Sequence, residues 1–562
     1  MNLKRFSGGT LGLLALSALA CACSSKADDC NANKNCAPYD SGGAGSTGTS
    51  GSAGTSGATG HSGSGGVSGT SGRAGAGAGS AGTSTDAGAA GAPSTCDGTL
   101  GPDADNCVIS DDYGVFVAPT GDDTTGDGTE AAPFATLTTA LTKLDQIKRI
   151  YVCAAEYTEV GTLQIPSGVA IYGGFGCDGG VWSYDSKNNK ASFKPQSPIG
   201  AEIKGAKGVV LEDLSIVAEN ATSPGGSSFG ITAVGSEVVL TRVIVKAGNG
   251  AIGNTGIDGV KGEDGADATA AQNGPAAICG AASETKAASW PELSSCNVHG
   301  GDGGKGYTIL APGAGGPGVP VDHVTPPGIS NGGPAATMAG VPPAGGGTGS
   351  NGDSGAVGAA AAGIGVFTAQ GYAAASGGDG TDGFPGQGGG GGGASKGNGL
   401  SGASGCTGAA GGAGGMGGCG GTHAAGGTGG GASVGVLSWN SNLKLVQSSI
   451  TAAVGGNGGK GGNAGRGGAS KPGGVGGDAA PGVGRGGDGG RGGDGGNGGN
   501  GAGGTGGPSI GLVYSAAPEV DTMSTLKAGT GGALGIGGSY GDPNTKAPNG
   551  APGLAQDKYK VP

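Results

Sequence analysis

Aromatic side chains make up 4% of this 562-residue chain and charged ones 12%, with three tryptophans, eight phenylalanines and four histidines in all. So little bulk excludes one well-filled core spread over the whole length, and only part of the chain can be an ordinary globular domain. Cationic residues are outnumbered too, 29 Lys and Arg against 41 Asp and Glu, and a net charge of −12 repels nucleic acid and anionic lipid. His61, His299, His323 and His423 all lie in Gly- or Pro-rich segments, which give no rigid scaffold to a Ser/His/Asp or Cys/His constellation. What takes up the length is glycine. With 144 Gly and 28 Pro the two reach about 31%, where about 12% is usual.

The amino terminus, MNLKRFSGGTLGLLALSALACACSS, joins the basic pair Lys4 and Arg5 to an apolar stretch from Leu11 to Ala20. That is the layout of an export signal over residues 1–20 and not of a membrane span. The segment ALAC, ending in Cys21, resembles a bacterial lipobox, which implies lipidation of Cys21, with Cys23 as the alternative acceptor. Ala22 or Ser24 after that cysteine, in place of Asp, implies the outer membrane by the same resemblance; plain secretion is the alternative. Residues 21–95 read as a Gly/Ser/Thr/Ala tether, of which the part from Ser41 would reach roughly 40 Å. The other ten cysteines fall into sequence neighbours: Cys30 with Cys36, Cys96 with Cys107, Cys153 with Cys177, Cys279 with Cys296, and Cys406 with Cys419. Five local disulfides are expected from that grouping, although spacing alone leaves connectivity open.

At Tyr113 the texture changes. VFVAPTGDD, GDGTEAAPFATLTTAL and IYVCAAEYTE predict a strand and turn, one amphipathic helix from Leu137 to Ile147, and further strands, one ending at Gly173. From Tyr113 to Phe175 these motifs resemble the start of bacterial surface proteins in the pectin-lyase-like superfamily of right-handed parallel β-helices. The resemblance implies an all-β fold in which the Pro-Phe-x-Thr segment leads into a helix capping the first coil. Apolar patches then recur, as FGITAVGSEVVLTRVIVKAGNG, IGVFTAQGYAAASGGDG, VGVLSWNSNLKLVQSSITAAVGGNG and IGLVYSAAPEVDTMSTLKAGTGG. Each is a glycine, a strand, a turn, a second strand and a glycine exit, a unit that buries its apolar face only when copies stack. In that register Leu211 stacks on Leu240 and Leu445, and Ile216 on Val245 and Ile450.

A coil of such a solenoid needs about 20–30 residues, yet Gly230, Gly365, Gly435 and Gly511 stand far further apart. The excess reads as insertions leaving a slender stack. The expected order is a cap and first coils over 96–250, glycine-rich insertions over 251–362, 377–432 and 456–508, coils over 363–376 and 433–455, and a last coil with tail over 509–562. The insertions carry phase: glycines fall every third residue from Gly250 to Gly265 and from Gly399 to Gly420, and GGx repeats follow Gly455. Collagen shares that period, but 250–268 has no proline. Long glycine loops are therefore expected, either disordered or bundled as polyglycine II helices.

Motifs with a possible chemistry are few. Arg466, Arg485 and Arg491 each precede Gly-Gly, but Asp488 and Asp494 neutralise them and no aromatic interleaves, so no nucleic-acid partner is expected. GGDGTDGF matches one calcium nonapeptide, with Asp379 and Asp382 as ligands, in a motif that requires tandem copies; DTTGDG opens like an EF-hand loop but has Phe134 at its twelfth position and reads as a turn. Asp213 stacked on Arg242, with Lys246 beyond, offers an ion pair more than an active site, and VWSYD (Val181 to Asp185) offers a sugar platform or partial core. No catalytic residue and no cofactor is assigned, and the enzyme question stays open. The expected function is an exported cell-surface structural or adhesive protein with a lipid anchor, meeting surface polysaccharide or other surface proteins. Its glycine tracts also resemble mycobacterial PGRS-type repeats. The alternative is a carbohydrate-binding or carbohydrate-cleaving β-helix protein.

Overall fold

The structure, a computed structural model, describes residues 96–562 except 146–147, 281, 292–293, 321, 326–329 and 542–544, all within the compact unit Gly91–Pro562. The expected signal peptide, the lipidation candidates Cys21 and Cys23, the expected tether, His61 and the expected Cys30–Cys36 pair lie outside the described residues.

Strand outweighs helix here, 24% against 4%, because apolar side chains alternate over short β-branched runs while glycine breaks every longer one. Three parallel sheets result. The first runs from Val115–Val117 through Arg149–Cys153, Ala170–Gly176, Val209–Glu212, Glu237–Thr241 and Asn442–Val446 to Glu519–Val520. The second runs from Glu156–Glu159 through Ala191–Pro195, Leu214–Val217, Ile244–Lys246 and Ser449–Thr451 to Thr525–Lys527. The third runs from Leu163–Gln164 through Ile199–Lys204, Ser228–Val234, Ser433–Trp439 and Ser509–Tyr514 to Ala555–Lys560. The chain visits first, second and third sheet in turn, so one inward column forms per sheet. The first column is Ile150, Ile171, Leu211, Leu240, Leu445 and Val520. The second is Tyr157, Phe193, Ile216, Val245, Ile450 and Leu526. The expected stacking of Leu211, Leu240 and Leu445 and of Ile216, Val245 and Ile450 is present residue for residue. Gly230, Gly435 and Gly511 also share a column; a Cβ on Gly230 would sit 2.3 Å from Val245 Cγ1 and 2.6 Å from the Gly435 carbonyl oxygen.

The helix spans Leu137–Lys143, against the expected Ile147, and lies against Val115–Val117 and Leu163–Gln164. Buried Glu159 receives the Leu137 N–H at 2.8 Å and the Thr138 N–H at 3.1 Å, and Asp123 receives those of Ala135 and Thr136. These carboxylates satisfy donors that a helix start leaves without partners.

All three long insertions leave after a second-sheet strand and return at a third-sheet strand, between Lys246 and Ser433, Thr451 and Ser509, and Lys527 and Ala555. They are ordered into straight limbs joined sideways by backbone hydrogen bonds. Gly250, Gly253, Gly256, Gly259, Gly262 and Gly265 donate to the carbonyls of Val454, Asn457, Lys460, Asn463, Arg466 and Ala469 at 2.7–2.9 Å. Three successive amides point to three different limbs, Gly411 to Gly304, Gly412 to Gly487 and Ala413 to Gln272, at 2.9–3.0 Å. Glycine content follows the number of neighbours. In the limb through Gly388–Gly393, the first Cβ would meet His299 O at 2.0 Å, the second Gly490 O at 2.1 Å and the third Asn331 O at 2.2 Å, and the next three repeat those limbs at Asp302, Gly487 and Pro334. A limb enclosed on all sides can hold nothing larger. Gly455–Gly468 keeps two glycines in three and exposes Asn457, Lys460, Asn463 and Arg466; Gly250–Gly265 keeps one in three and exposes most of the rest.

Three expectations need correction. Cys279 is bonded to Cys406 and Cys296 to Cys419, not to their sequence neighbours. Extended limbs rise about 3.1 Å per residue, which puts Cys406 and Cys419 roughly 40 Å apart, whereas a disulfide spans about 4.4–6.8 Å. Cys96–Cys107 and Cys153–Cys177 pair as expected. The supposed coil 363–376 is an antiparallel hairpin, Val366–Thr368 with Gly371–Ala373, whose Phe367 packs over Phe229, Val434 and Ile510 on the outside of the third sheet. Of the two states left open for the loops, they take the bundled one, since their amides and carbonyls bond to one another. Finally, 509–562 holds a third insertion and a last strand, Ala555–Lys560, where a tail was expected.

Candidate functional site

The densest group of ionisable side chains sits at the turn from first to second sheet. There Asp213, Arg242 and Gln447 all take left-handed backbone, with φ of 52°, 54° and 49°. One such turn above another sets Arg242 over Asp213. Arg242 Nε donates to Asp213 Oδ1 at 2.8 Å and Nη2 to Oδ2 at 2.9 Å, and Nη2 also meets Glu212 Oε1. The Tyr184 hydroxyl donates to Asp213 Oδ2 and lies 3.1 Å from Glu212 Oε1, and Lys190 Nζ donates to the Arg242 carbonyl at 2.6 Å. Asp213 is fully buried. The Asp213 carboxylate holds the Arg242 guanidinium above its usual range, burial pushes Glu212 and Tyr184 up, and burial pulls Lys190 down. Both Asp213 oxygens are engaged, which suits a clamp on the turn better than proton transfer.

The sequence pointed to Asp213 and Arg242 but missed Glu212, which ends the strand leading into the turn, and Tyr184 and Lys190, which reach it from the segment before the strand Ala191–Pro195. Lys246 is exposed on the second sheet. Trp182 is 9% exposed and stands edge-on to Phe116 and Phe175, so VWSYD is core. The calcium candidates serve the lattice: Asp379 Oδ1 accepts the Gly426 N–H at 2.7 Å, and Asp382 Oδ1 accepts the His423 N–H at 2.7 Å and faces His423 Nδ1 at 2.6 Å. These bonds hold Asp382 below the usual carboxylate range. Cys96, Asp105 and Cys107 are the one set of close potential ligands among the described residues, and both sulfurs are spent in a disulfide.

The histidines are dispersed. His299 Nδ1 lies 2.6 Å from the Gly300 carbonyl, and His323 stacks on Phe384 with centroids 4.1 Å apart. Of the three lattice arginines, Arg485 pairs with Asp488 at 2.8 Å and Arg491 bonds to Ser470, while Arg466 lies 5.7 Å from the Tyr540 ring centroid. No family model, curated protein or solved structure matches the chain.

Proposed function

We propose that this chain is an exported structural or adhesive protein of the cell surface, anchored through a lipid on Cys21 or Cys23, with the outer membrane as its site. Its three sheets are then the faces of a short right-handed parallel β-helix of the pectin-lyase-like kind, entered past a capping helix, and its glycine limbs are a polyglycine II lattice held at one corner. The observation that carries this reading is the lattice. A body of backbone hydrogen bonds turns the non-glycine side chains of its outer limbs outward in rows about 9 Å apart, as at Asn457, Lys460, Asn463 and Arg466. Rigid, repetitive display suits contact with an extended surface; it contributes nothing to turnover. The alternative, a carbohydrate-active protein, has in its favour the groove beside Arg466.

Cells displaying the full chain should attach to surfaces or to one another more than cells lacking it, and purified protein should leave a panel of polysaccharides uncut. Equal attachment, together with cleavage of any member of the panel, would replace this reading with the enzymatic one.

A further inference from the structure

We propose that the groove between the Asp258–Lys261 and Asn463–Arg466 segments of the lattice binds a carboxylated sugar unit of an acidic polysaccharide. The inference rests on the adhesive reading and names its ligand class. The groove encloses about 300 Å³ and is lined by Asp258, Lys261, Asn463, Arg466 and Tyr540. Arg466 has no carboxylate partner among the described residues, so its guanidinium fork is held over Tyr540 at 5.7 Å with donors to spare. That fork matches a carboxylate in two-point geometry. Lys261 supplies a second cation on the opposite wall, shared with Asp264 at 2.6 Å.

Tyr540, 39% exposed, gives an aromatic face for a sugar ring. Asp258 accepts the Asn463 N–H through Oδ1 at 2.7 Å, which leaves Oδ2 for a hydroxyl. The platform is fixed from behind. Asn500, 1% exposed, accepts the Tyr540 N–H at 3.2 Å and donates to the Tyr540 and Thr545 carbonyls at 2.9 Å, and the same oxygen accepts the Ala464 N–H at 2.8 Å. One buried amide thus ties the aromatic to the limb that carries Arg466. A site held ready in this way loses little entropy on binding. Asp258 and Asp264 disfavour a denser polyanion such as nucleic acid, whereas a single carboxylate among hydroxyls fits the mixture of charges.

The test is retention of the full-length protein on polygalacturonate and on its methyl ester, which keeps the sugar chain and removes the charge. Binding to the acid form and not to the ester is expected. Arg466→Ala and Tyr540→Ala should each weaken it at least tenfold, Arg466→Lys less, and Lys246→Ala, which removes an exposed cation of the second sheet far from the groove in sequence, should change nothing. Equal binding of the ester, equal binding of polyglutamate, or wild-type retention by Arg466→Ala would overturn the site. Failure to bind polygalacturonate while cells still attach sinks the site alone; intact binding without attachment sinks the adhesive reading alone.

Discussion

Replacing Gly391 by alanine puts the lattice to its sharpest test. Gly391 lies in the limb with neighbours on every side; it donates to the Gly316 carbonyl at 2.9 Å and accepts from the Gly333 N–H at 2.7 Å. An added Cβ would stand 1.9 Å from the Asp302 carbonyl oxygen and 2.4 Å from its carbon. To relieve that contact the limb must part by about 1 Å from the one carrying Asp302, which donates to it through the Gly301 N–H to the Gly389 carbonyl and the Gly304 N–H to the Gly392 carbonyl, both at 2.8 Å, and this takes those bonds beyond the useful range of about 3.2 Å. Two buried backbone bonds at about 1–3 kcal/mol each, with overpacking of about 1–3 kcal/mol, outweigh the roughly 0.5–1 kcal/mol that alanine gains through the unfolded chain. The expected loss is therefore no less than about 2 kcal/mol. Two reporters separate lattice from sheets: Trp290, whose Nε1 donates to the Gly414 carbonyl at 2.7 Å, and Trp182 in the aromatic cluster over the first sheet. Denaturation followed by hydrogen exchange and by single-Trp variants should show the lattice amides loosened before the sheets. A Gly391→Ala protein with exchange and midpoint equal to wild type would refute the packing argument, because a loose glycine loop tolerates alanine anywhere.

The other expectations are shorter. Val245→Asp places a charge at a fully buried position between Ile216 and Ile450, and a loss of roughly 3–5 kcal/mol should appear in the Trp182 transition; a loss under about 1 kcal/mol would contradict the column. Peptide mapping without reductant should recover Cys279 with Cys406 and Cys296 with Cys419, and recovery of Cys279 with Cys296 would contradict the limb order. The Ser470 N–H and hydroxyl hold Asp494 below the usual carboxylate range. Its contribution is thus present above the unfolded value of about 3.9 and lost as pH falls through the depressed folded value, so Asp494→Asn should flatten the acid limb of a stability profile, and an unchanged profile would exclude that role. Lys558 and Lys560 occupy, in the last strand, the register positions of Leu512 and Tyr514; Lys558→Leu with Lys560→Val should raise end-to-end association above that of the wild type in light scattering, and equal association would contradict an edge guarded by charge.

What the sequence disclosed and what it hid divide along physical lines. Leu211, Leu240 and Leu445 were legible because strands of alternating polarity separated by turn residues can stack in only one register without turning their apolar faces outward. The glycine phase was legible as well, but not the order of the limbs, since each backbone bond joins residues whose spacing depends on where limbs turn. Cys406 illustrates this: its partner is 127 residues back. The hairpin at Val366 passed for a coil because Gly-strand-turn-strand describes both, and only the packing of Phe367 on Phe229 tells them apart. Ala555–Lys560 reads as polar tail because its neighbour strand already covers the core. At the charged turn, Asp213 and Arg242 share one repeat position and so could be paired by register, whereas Tyr184 and Lys190 lie in the segment between the strands Ala170–Gly176 and Ala191–Pro195, which no repeat marks.

A lattice built from backbone alone would have no reason to stop growing, and the side chains at its rim explain why this one does. Thr428 Oγ1 and Thr422 Oγ1 accept the amides of Asn254 and Val260 at 2.6 Å, Asn457 Oδ1 accepts that of Ala533 at 2.8 Å, and Asp264 Oδ1 that of Ala469 at 2.7 Å. Short oxygens thus take the place of the carbonyl that another limb would have offered, and their Cβ atoms occupy the space it would need. The same substitution that satisfies the edge also closes it, as charged and polar residues close the edge strands of sheets. One glycine in three marks the outer limb Gly250–Gly265 and an unbroken run the enclosed limb Gly388–Gly393, whereas limbs with two in three either expose the third residue, as at Asn457 and Lys460, or have it covered, as at Ala413 and Met416. The polar residues at the rim thus have two duties at once: they complete the hydrogen bonding of the limb beside them, and with exposed apolar side chains such as Ile257 and Val260 they form the face that the lattice presents outward.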